Sequence, residues 1–326
     1  MLKILITGGT GFVGKELIAQ LRDNIQVEII RIVRNSNEVI SDHDIVVSSI
    51  DAKTDWSGIL DKIDVIIHLA AKVHDMNYKD NDDLNNEYYQ INTEGTKKLV
   101  EDASKFGVGK IIFLSTIKVN GEGGGNIIFK EIDTPKPQGS YAKSKFIAEQ
   151  YIISNSAKAG LKFVIIRPTL IIGANVKGNL LNLMKLVSRN MPIPLSKHDN
   201  KRSVIGLKNL CDFIIYCITN EDCNNNTFIL SEQNTISTRE LFEKIAYYMK
   251  RKILIINIPT IILRFLRKIK RFDDIYIRAY GDLVASKDKL IKNTGWKYKY
   301  SIDEQIESMV NEFIGNFSEN EFNKKL

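Results

Sequence analysis

The chain opens with a short apolar run, Leu2-Lys3-Ile4-Leu5-Ile6, and passes at once into Thr7-Gly8-Gly9-Thr10-Gly11-Phe12-Val13-Gly14. Leu17, Ile18 and Leu21 then recur at helical spacing. The pattern predicts strand, glycine turn and helix, the setting that a dinucleotide-binding turn needs. Further apolar runs predict strands over residues 27–33, 45–50, 64–71, 110–114 and 162–167, with Pro168 stopping the last. Helical periodicity covers 88–106 and a stretch that begins near Ser140. Strands alternating with helices predict an α/β fold with a doubly wound parallel sheet of Rossmann type.

After about residue 172 the rhythm changes. Residues 1–172 read as a dinucleotide-binding domain. Residues 173–326 read mainly as a smaller substrate-binding lobe, with segments around 203–231 returning to the first domain. Within that part, Lys177-Gly178-Asn179 introduces a helix through Val187. Further helical stretches are expected over 209–219 and 237–250, with a returning strand over 227–230; residues 286–296 and 302–313 close the chain. Residues 316–326 are polar and expected to fray.

Composition narrows the class. Hydrophobic residues make up 44% of 326, with only six prolines, as in a compact folded chain. The N-terminus runs straight into a strand, so no signal peptide is expected and a cytoplasmic location is. The longest strongly apolar stretch, 253–263, falls well short of the ~20 residues that span a bilayer. Cys211, Cys217 and Cys223 lack metal-site spacing and are expected as reduced thiols, with no metal. Net charge is +7, yet there is no arginine-rich tract or RNA-binding motif, which argues against nucleic acid. One basic cluster, Arg264, Arg267, Lys268, Lys270 and Arg271, leaves open a weak peripheral contact with an anionic membrane. The plainer reading is a lobe helix with a solvated basic side.

The glycine turn carries the first chemistry. Gly8 permits a tight turn, Gly11 lets a pyrophosphate approach the backbone, and Gly14 lets the helix pack closely. Phe12 and Val13 lie at the helix start, whose free N–H groups suit phosphate. An acidic residue at the end of the second strand would bond a ribose 2′-hydroxyl, whereas arginine suits a 2′-phosphate. Arg31 and Arg34 stand there with no acid, which favours NADP (NADPH) and leaves NAD open. Asp51-Ala52 follows the third strand, where the carboxylate could accept from an adenine amino group. The small residues closing the fourth strand, in Leu69-Ala70-Ala71, let the backbone run close to the cofactor. His68, inside that apolar run, reads as a buried structural histidine. His74 follows in the loop at the sheet's ligand-binding edge and is a candidate substrate contact.

Tyr141 and Lys145 lie one helical turn apart on one face. A phenol with a pKa near ~10 is mostly protonated at neutral pH. A nearby ammonium and an oxidised nicotinamide would stabilise the phenolate, and a downward shift of ~3 units corresponds to about 4 kcal/mol. Thr116, at the end of the fifth strand, can hold the reacting oxygen by its hydroxyl.

These pieces resemble the extended short-chain dehydrogenase/reductases, in the nucleotide-sugar epimerase, dehydratase and reductase group. The matching motifs are Thr7-Gly8-x-x-Gly11-x-x-Gly14, Asp51-Ala52, His68-Leu69-Ala70-Ala71 and Asn92-x-x-Gly95-Thr96, then Ser115-Thr116, Tyr141-x-x-x-Lys145 and Arg167-Pro168. Gly178-Asn179, Arg202, Arg278, Ser286-Lys287 and Gly295-Trp296 extend the likeness over nearly the whole chain. The resemblance implies a triad of Thr116, Tyr141 and Lys145, with Lys145 also holding the cofactor ribose and Pro168 beside the cofactor. It implies that Asn179, Arg202 and Arg278 reach the diphosphate of a UDP-sugar, and that the protein forms a homodimer. Dehydratases carry an Asp-Glu pair after the catalytic hydroxyl; Ile117-Lys118 stands here, so dehydration is not expected. Lys118 and Asn120 become candidate substrate contacts. The run from Ser115 to Glu122 is similar to bacterial 4-ketoreductases of capsule and O-antigen precursor synthesis. Those act on UDP-4-keto-6-deoxy-N-acetylhexosamines and give UDP-N-acetylfucosamine or UDP-N-acetylquinovosamine. The alternatives are a UDP-hexose or UDP-N-acetylhexosamine 4-epimerase and, last, a non-catalytic NADP-sensing protein.

Overall fold

The computed structural model describes residues 1–24, 26–73, 87–123, 127–196, 200–259 and 281–322. His74, Arg278 and the basic cluster 264–271 lie outside the described residues.

The central sheet is built from β1 (Leu2–Thr7), β2 (Val27–Val33), β3 (Asp44–Val46), β4 (Val65–His68), β5 (Lys110–Leu114), β7 (Lys162–Pro168) and β11 (Asn226–Leu230). All pairings are parallel, in the order β11-β7-β5-β4-β1-β2-β3. The strand order therefore reverses between β1 and β4, and ligands of open α/β sheets bind at such a point. Successive residues of β1 face opposite layers. Ile4 and Ile6 join one buried cluster with Leu17 and Leu21 of α1 (Phe12–Asn24) and Phe213 of α5 (Leu207–Thr219). Leu5 joins the other, with Leu99 of α2 (Gly95–Lys105) and Ile152 of α3 (Gly139–Ala159). Both faces of β1 are covered, which is why the run reads as continuously apolar rather than alternating.

A third cluster forms the lobe. It joins Met184 and Val187 of α4 (Asn179–Ser188), Leu241 and Phe242 of α6 (Thr238–Tyr248), and Ile306 and Met309 of α8 (Ile302–Phe322). Ser237 caps α6, its hydroxyl accepting the Glu240 N–H at 3.0 Å. The partly buried Phe12 packs on both the first and third clusters, so the helix that follows the glycine turn touches sheet and lobe together. Short strand pairs complete the structure: β8 (Leu170–Ile172) with β10 (Val204–Gly206), β9 (Ile193–Ser196) with β12 (Ile255–Ile258), and β6 (Ile128–Phe129) with β13 (Val284–Ala285). The short helix α7 spans Asp288–Asn293.

Several elements differ from their expected bounds. β3 ends at Val46 because the next residues turn into a polar knot, in which Thr54 Oγ1 donates to the Ser49 carbonyl at 3.0 Å and accepts the Asp51 N–H at 2.8 Å. The helix expected over 88–106 is a π-turn, Tyr89–Glu94, that runs into α2. At the junction, a Cβ on Gly95 would stand 2.6 Å from the Ile50 carbonyl oxygen. α8 continues to Phe322 rather than fraying after 313, because no proline interrupts its polar end. Among the described residues no helix is long and apolar enough to cross a membrane. The three cysteines are free and buried.

Candidate active site

Two groups of residues meet at the C-terminal edge of β1, β4 and β5. The first is a cradle of backbone. Gly8 adopts φ +73°, and a Cβ there would lie 2.7 Å from the Ala70 nitrogen. A Cβ on Gly14 would stand 2.3 Å from the Gly8 oxygen, so the start of α1 packs against the turn itself. Gly11 differs: the Gly8 oxygen, at 3.1 Å, is the sole neighbour its Cβ would meet within 4 Å. Gly11 stands at the N-terminus of a 13-residue helix, whose free N–H groups suit the pyrophosphate of a dinucleotide. Val13 is buried beneath it, and its carbonyl faces the Cys211 thiol at 3.7 Å. Leu69, Ala70 and Ala71 continue past β4, with the Leu69 N–H on the Thr7 carbonyl at 3.2 Å.

His68 anchors this edge. The Thr96 hydroxyl donates to the Asn92 carbonyl at 2.7 Å, so it can only accept from His68 Nε2, at 3.0 Å. Nδ1 must then accept from the Thr7 hydroxyl, at 2.6 Å, while Thr7 Oγ1 accepts the Ala70 N–H at 3.3 Å. The ring is neutral with its proton on Nε2. Burial, reinforced by Lys145, pushes its pKa down to about 3.

The second group is made of side chains. The Thr116 hydroxyl lies near enough to the Tyr141 phenol to favour its ionised form, and it accepts the Lys118 N–H at 3.3 Å. Lys145 is 1% exposed, with Nζ 3.9 Å from the centre of the Phe113 ring. Asn92, in the π-turn, donates to Ser144 Oγ and to the Lys72 carbonyl, each at 3.0 Å, and accepts the Lys72 N–H at 2.8 Å. It thereby ties the end of β4 to α3. Tyr141 and Lys145 lie one turn apart on α3, with Thr116 near the phenol, and burial governs the charge states of the two titratable groups. Burial holds the Tyr141 phenol up, to about 12, against the hydrogen bond from Thr116. Burial also brings Lys145 down to about 7, with Glu149 opposing. A dry site disfavours both ionised forms, so Lys145 does not by itself acidify the phenol.

Other expected residues divide. Arg31 was expected beside a ribose phosphate, but its guanidinium is occupied. It donates to Asp44 at 2.9 and 2.6 Å and to the Glu38 carbonyl at 2.7 Å. Parallel pairing of β2 with β3 sets Arg31 opposite Asp44. The Arg31 stem also lies where a Cβ on Gly9 would fall, 2.6 Å from Cγ. Arg34 is exposed beyond the strand end. Asp51 accepts from Ser49 Oγ and the Lys53 N–H, each at 2.8 Å, and Ala52 is exposed beside it. Pro168 is buried at the end of β7, in register with Leu230.

Asn120, expected to meet substrate, is 3% exposed and bonded within the chain. Its amide donates to the Lys130 carbonyl at 2.8 Å and accepts from Arg167 at 2.9 Å. Lys118 pairs with Glu122 at 3.2 Å. Arg202 is largely buried and donates to the Gly281 carbonyl at 2.9 Å, with Asp282 and Glu122 opposing the pKa-lowering effect of burial. Asn179 is exposed at the start of α4.

Known proteins identify the group to which this geometry belongs. The sequence of the NAD dependent epimerase/dehydratase family matches residues 4–230. UDP-glucose 4-epimerase of Vibrio cholerae is 33% identical over 318 residues, covering 95% of each chain. This chain belongs to the NAD dependent epimerase/dehydratase family. It is an enzyme of the extended short-chain dehydrogenase/reductase type. Solved structures share the fold: UDP-glucuronic acid 4-epimerase from Bacillus cereus, in complex with NAD, superimposes with a TM-score of 0.78 at 18% identity, over 97% of this chain and 100% of that one. RMD from Pseudomonas aeruginosa, complexed with NADPH, gives 0.71 at 18% identity, over 96% and 99%. The first of these two structures holds NAD and the second NADPH.

Asn92, Ser115, Glu149 and Arg167 were not among the expected site residues, although Asn92, Ser115 and Arg167 lie in the matching motifs. Glu149 had a signal of its own: it repeats the four-residue step of Tyr141 and Lys145 along the same helix face.

Proposed function

We propose that the protein is a 4-epimerase acting on a UDP-hexose or UDP-N-acetylhexosamine. The Thr116 hydroxyl, close enough to the Tyr141 phenol to favour its ionised form, carries the reading, because the two would offer proton-bearing oxygens at the edge where cofactor and sugar would meet. The Vibrio cholerae relative supports epimerisation over the 4-keto reduction expected from the run after Ser115.

In this mechanism Thr116 and Tyr141 hold the sugar O4 between them. Tyr141 takes the O4 proton as C4 is oxidised and returns it when C4 is reduced on the opposite face. When bound, a nicotinamide dinucleotide supplies hydride acceptance and return at C4. Lys145 contributes a charge that titrates near neutral pH, and in this reading it would hold the cofactor ribose hydroxyls. Because the chain's own groups leave the phenol at about 12, a cation entering the site has large leverage over it. Asn92 fixes α3 against the end of β4 while the sugar turns over. On the substrate side, Arg202, Asn179, Lys118, His74 and Arg278 are the groups that would meet the nucleotide sugar. Arg34 leans the cofactor choice toward NADP, with NAD the alternative. A homodimer built on α2 and α3 belongs to the same reading.

The test mixes the protein with UDP-glucose, and separately with UDP-N-acetylglucosamine, without added cofactor. Proton NMR should show the 4-epimers approaching equilibrium. Stoichiometric NADPH consumption with a UDP-4-keto sugar, and no interconversion, would instead make it the 4-ketoreductase.

A further inference from the structure

Thr116 is bracketed by one buried carboxylate. Glu149 lies four residues beyond Lys145 on α3 and is 0% exposed. Ser115, immediately before Thr116, donates its hydroxyl to Glu149 Oε1. Arg167, near the end of β7, grips the same carboxylate through Nε at 3.1 and 3.2 Å and Nη2 at 2.6 Å. Its remaining arm, Nη1, reaches Asn120 Oδ1 at 2.9 Å. Asn120 closes the 3-10 turn Ile117–Val119, whose N-cap is Thr116. The segment before Thr116 is thus bonded to α3 directly, and the segment after it through Arg167.

Stability alone is a weak reason for such a group. A buried ion pair is frequently no better than two apolar side chains of similar volume, because desolvation opposes the attraction. What an apolar pair cannot do is hold three elements in one register by directional bonds. Here the three elements carry Thr116, the helix of Tyr141 and Lys145, and the residue before Pro168.

We propose that Glu149 is a positioning residue that sets the separation of the Thr116 and Tyr141 oxygens by clamping Ser115 and Arg167. The proposal rests on the reading of Thr116 and Tyr141 as the proton-transfer pair. It predicts a loss confined to turnover, since the clamp touches neither the glycine cradle nor the candidate diphosphate residues. Displacing reacting groups by about 1 Å is enough to cost about 100-fold in rate.

The experiment compares Glu149→Gln, the double variant Glu149→Leu with Arg167→Met, and Ser115→Ala. Epimerisation kcat, KM for the UDP-sugar, NAD(P) affinity and the thermal midpoint are measured for each. Glu149→Gln and the double variant should lower kcat about 100-fold, with KM and cofactor affinity unchanged within about threefold. Ser115→Ala deletes one hydroxyl, leaves the ion pair in place and should lower kcat about tenfold, so it reports even where a Glu149 variant fails to fold. A folded double variant with wild-type kcat overturns the proposal. So does a joint fall of kcat, cofactor affinity and thermal midpoint in Ser115→Ala, which would mark a purely structural role. Tyr141→Phe is run alongside: full activity there would sink the proton-transfer reading itself, whatever the Glu149 variants do.

Discussion

The two halves of the site are made of different material. The cradle at Gly8, Gly11 and Gly14 is backbone, and its tolerances are steric: added atoms would sit 2.3–3.1 Å from the Gly8 oxygen or the Ala70 nitrogen. The cluster at Thr116, Tyr141, Lys145 and Glu149 is side chain, and its tolerances are electrostatic and directional. One half fails when a methyl group is added. The other fails when a single proton or hydrogen bond is moved. Cofactor binding and turnover should therefore be separable by substitution.

The largest effect is expected at Tyr141. Tyr141→Phe removes the proton carrier and nothing from the cradle, so kcat should fall about 10³-fold while NAD(P) affinity holds within about threefold. Stopped-flow turnover and cofactor titration check this together, and parallel losses would dissolve the division. Next come two glycines. Gly14→Ala meets the Gly8 oxygen at 2.3 Å and should lower both the thermal midpoint and NAD(P) affinity. Gly11→Ala has a contact only at 3.1 Å, so it should keep the midpoint and lose affinity about 100-fold. Equal midpoint losses in the two variants would mean that Gly11 is a packing glycine.

Lys145 gives a smaller effect that depends on pH. Its folded-state pKa, about 7, lies below the ordinary lysine value of 10.5. The unfolded chain therefore binds more protons between those values, and the wild type gains stability as pH rises through that window. Lys145→Met should lose this slope. Cofactor-free melts of both proteins at pH 7 and pH 9 measure it, and parallel slopes would contradict the burial argument. The smallest effect separates the two arginines. Arg34→Ala should change the NADPH to NADH affinity ratio about tenfold. Arg31→Ala should leave that ratio alone and lower stability by freeing Asp44. Reversed outcomes would return Arg31 to the cofactor.

The same division explains what could be read from sequence. The glycine turn, the sheet and the Tyr141–Lys145 step are local patterns, and helical or strand period places them without knowledge of the rest. The bonds that decide individual side chains are long-range. The pairing of Arg31 with Asp44, across β2 and β3, is not visible in the run 27–33. The partner of Asn120, Arg167, is 47 residues away. The expected acidification of Tyr141 needs the charge of a bound cofactor as well as Lys145: four-residue spacing gives proximity, but burial among the chain's own groups holds the phenol up. The π-turn at Tyr89–Glu94 is hidden because its sequence keeps ordinary helical periodicity; where it ends, Gly95 comes close to Ile50. The small strand pairs of the lobe, two to four residues each, are too short to leave a periodic signal.

The most direct test of the account follows the anomeric proton signals of a UDP-hexose incubated with wild-type protein and with Tyr141→Phe. The account predicts conversion to the 4-epimer without net change in cofactor absorbance for the wild type, and none for the variant at equal cofactor occupancy. Unchanged conversion by the Tyr141→Phe protein would contradict it.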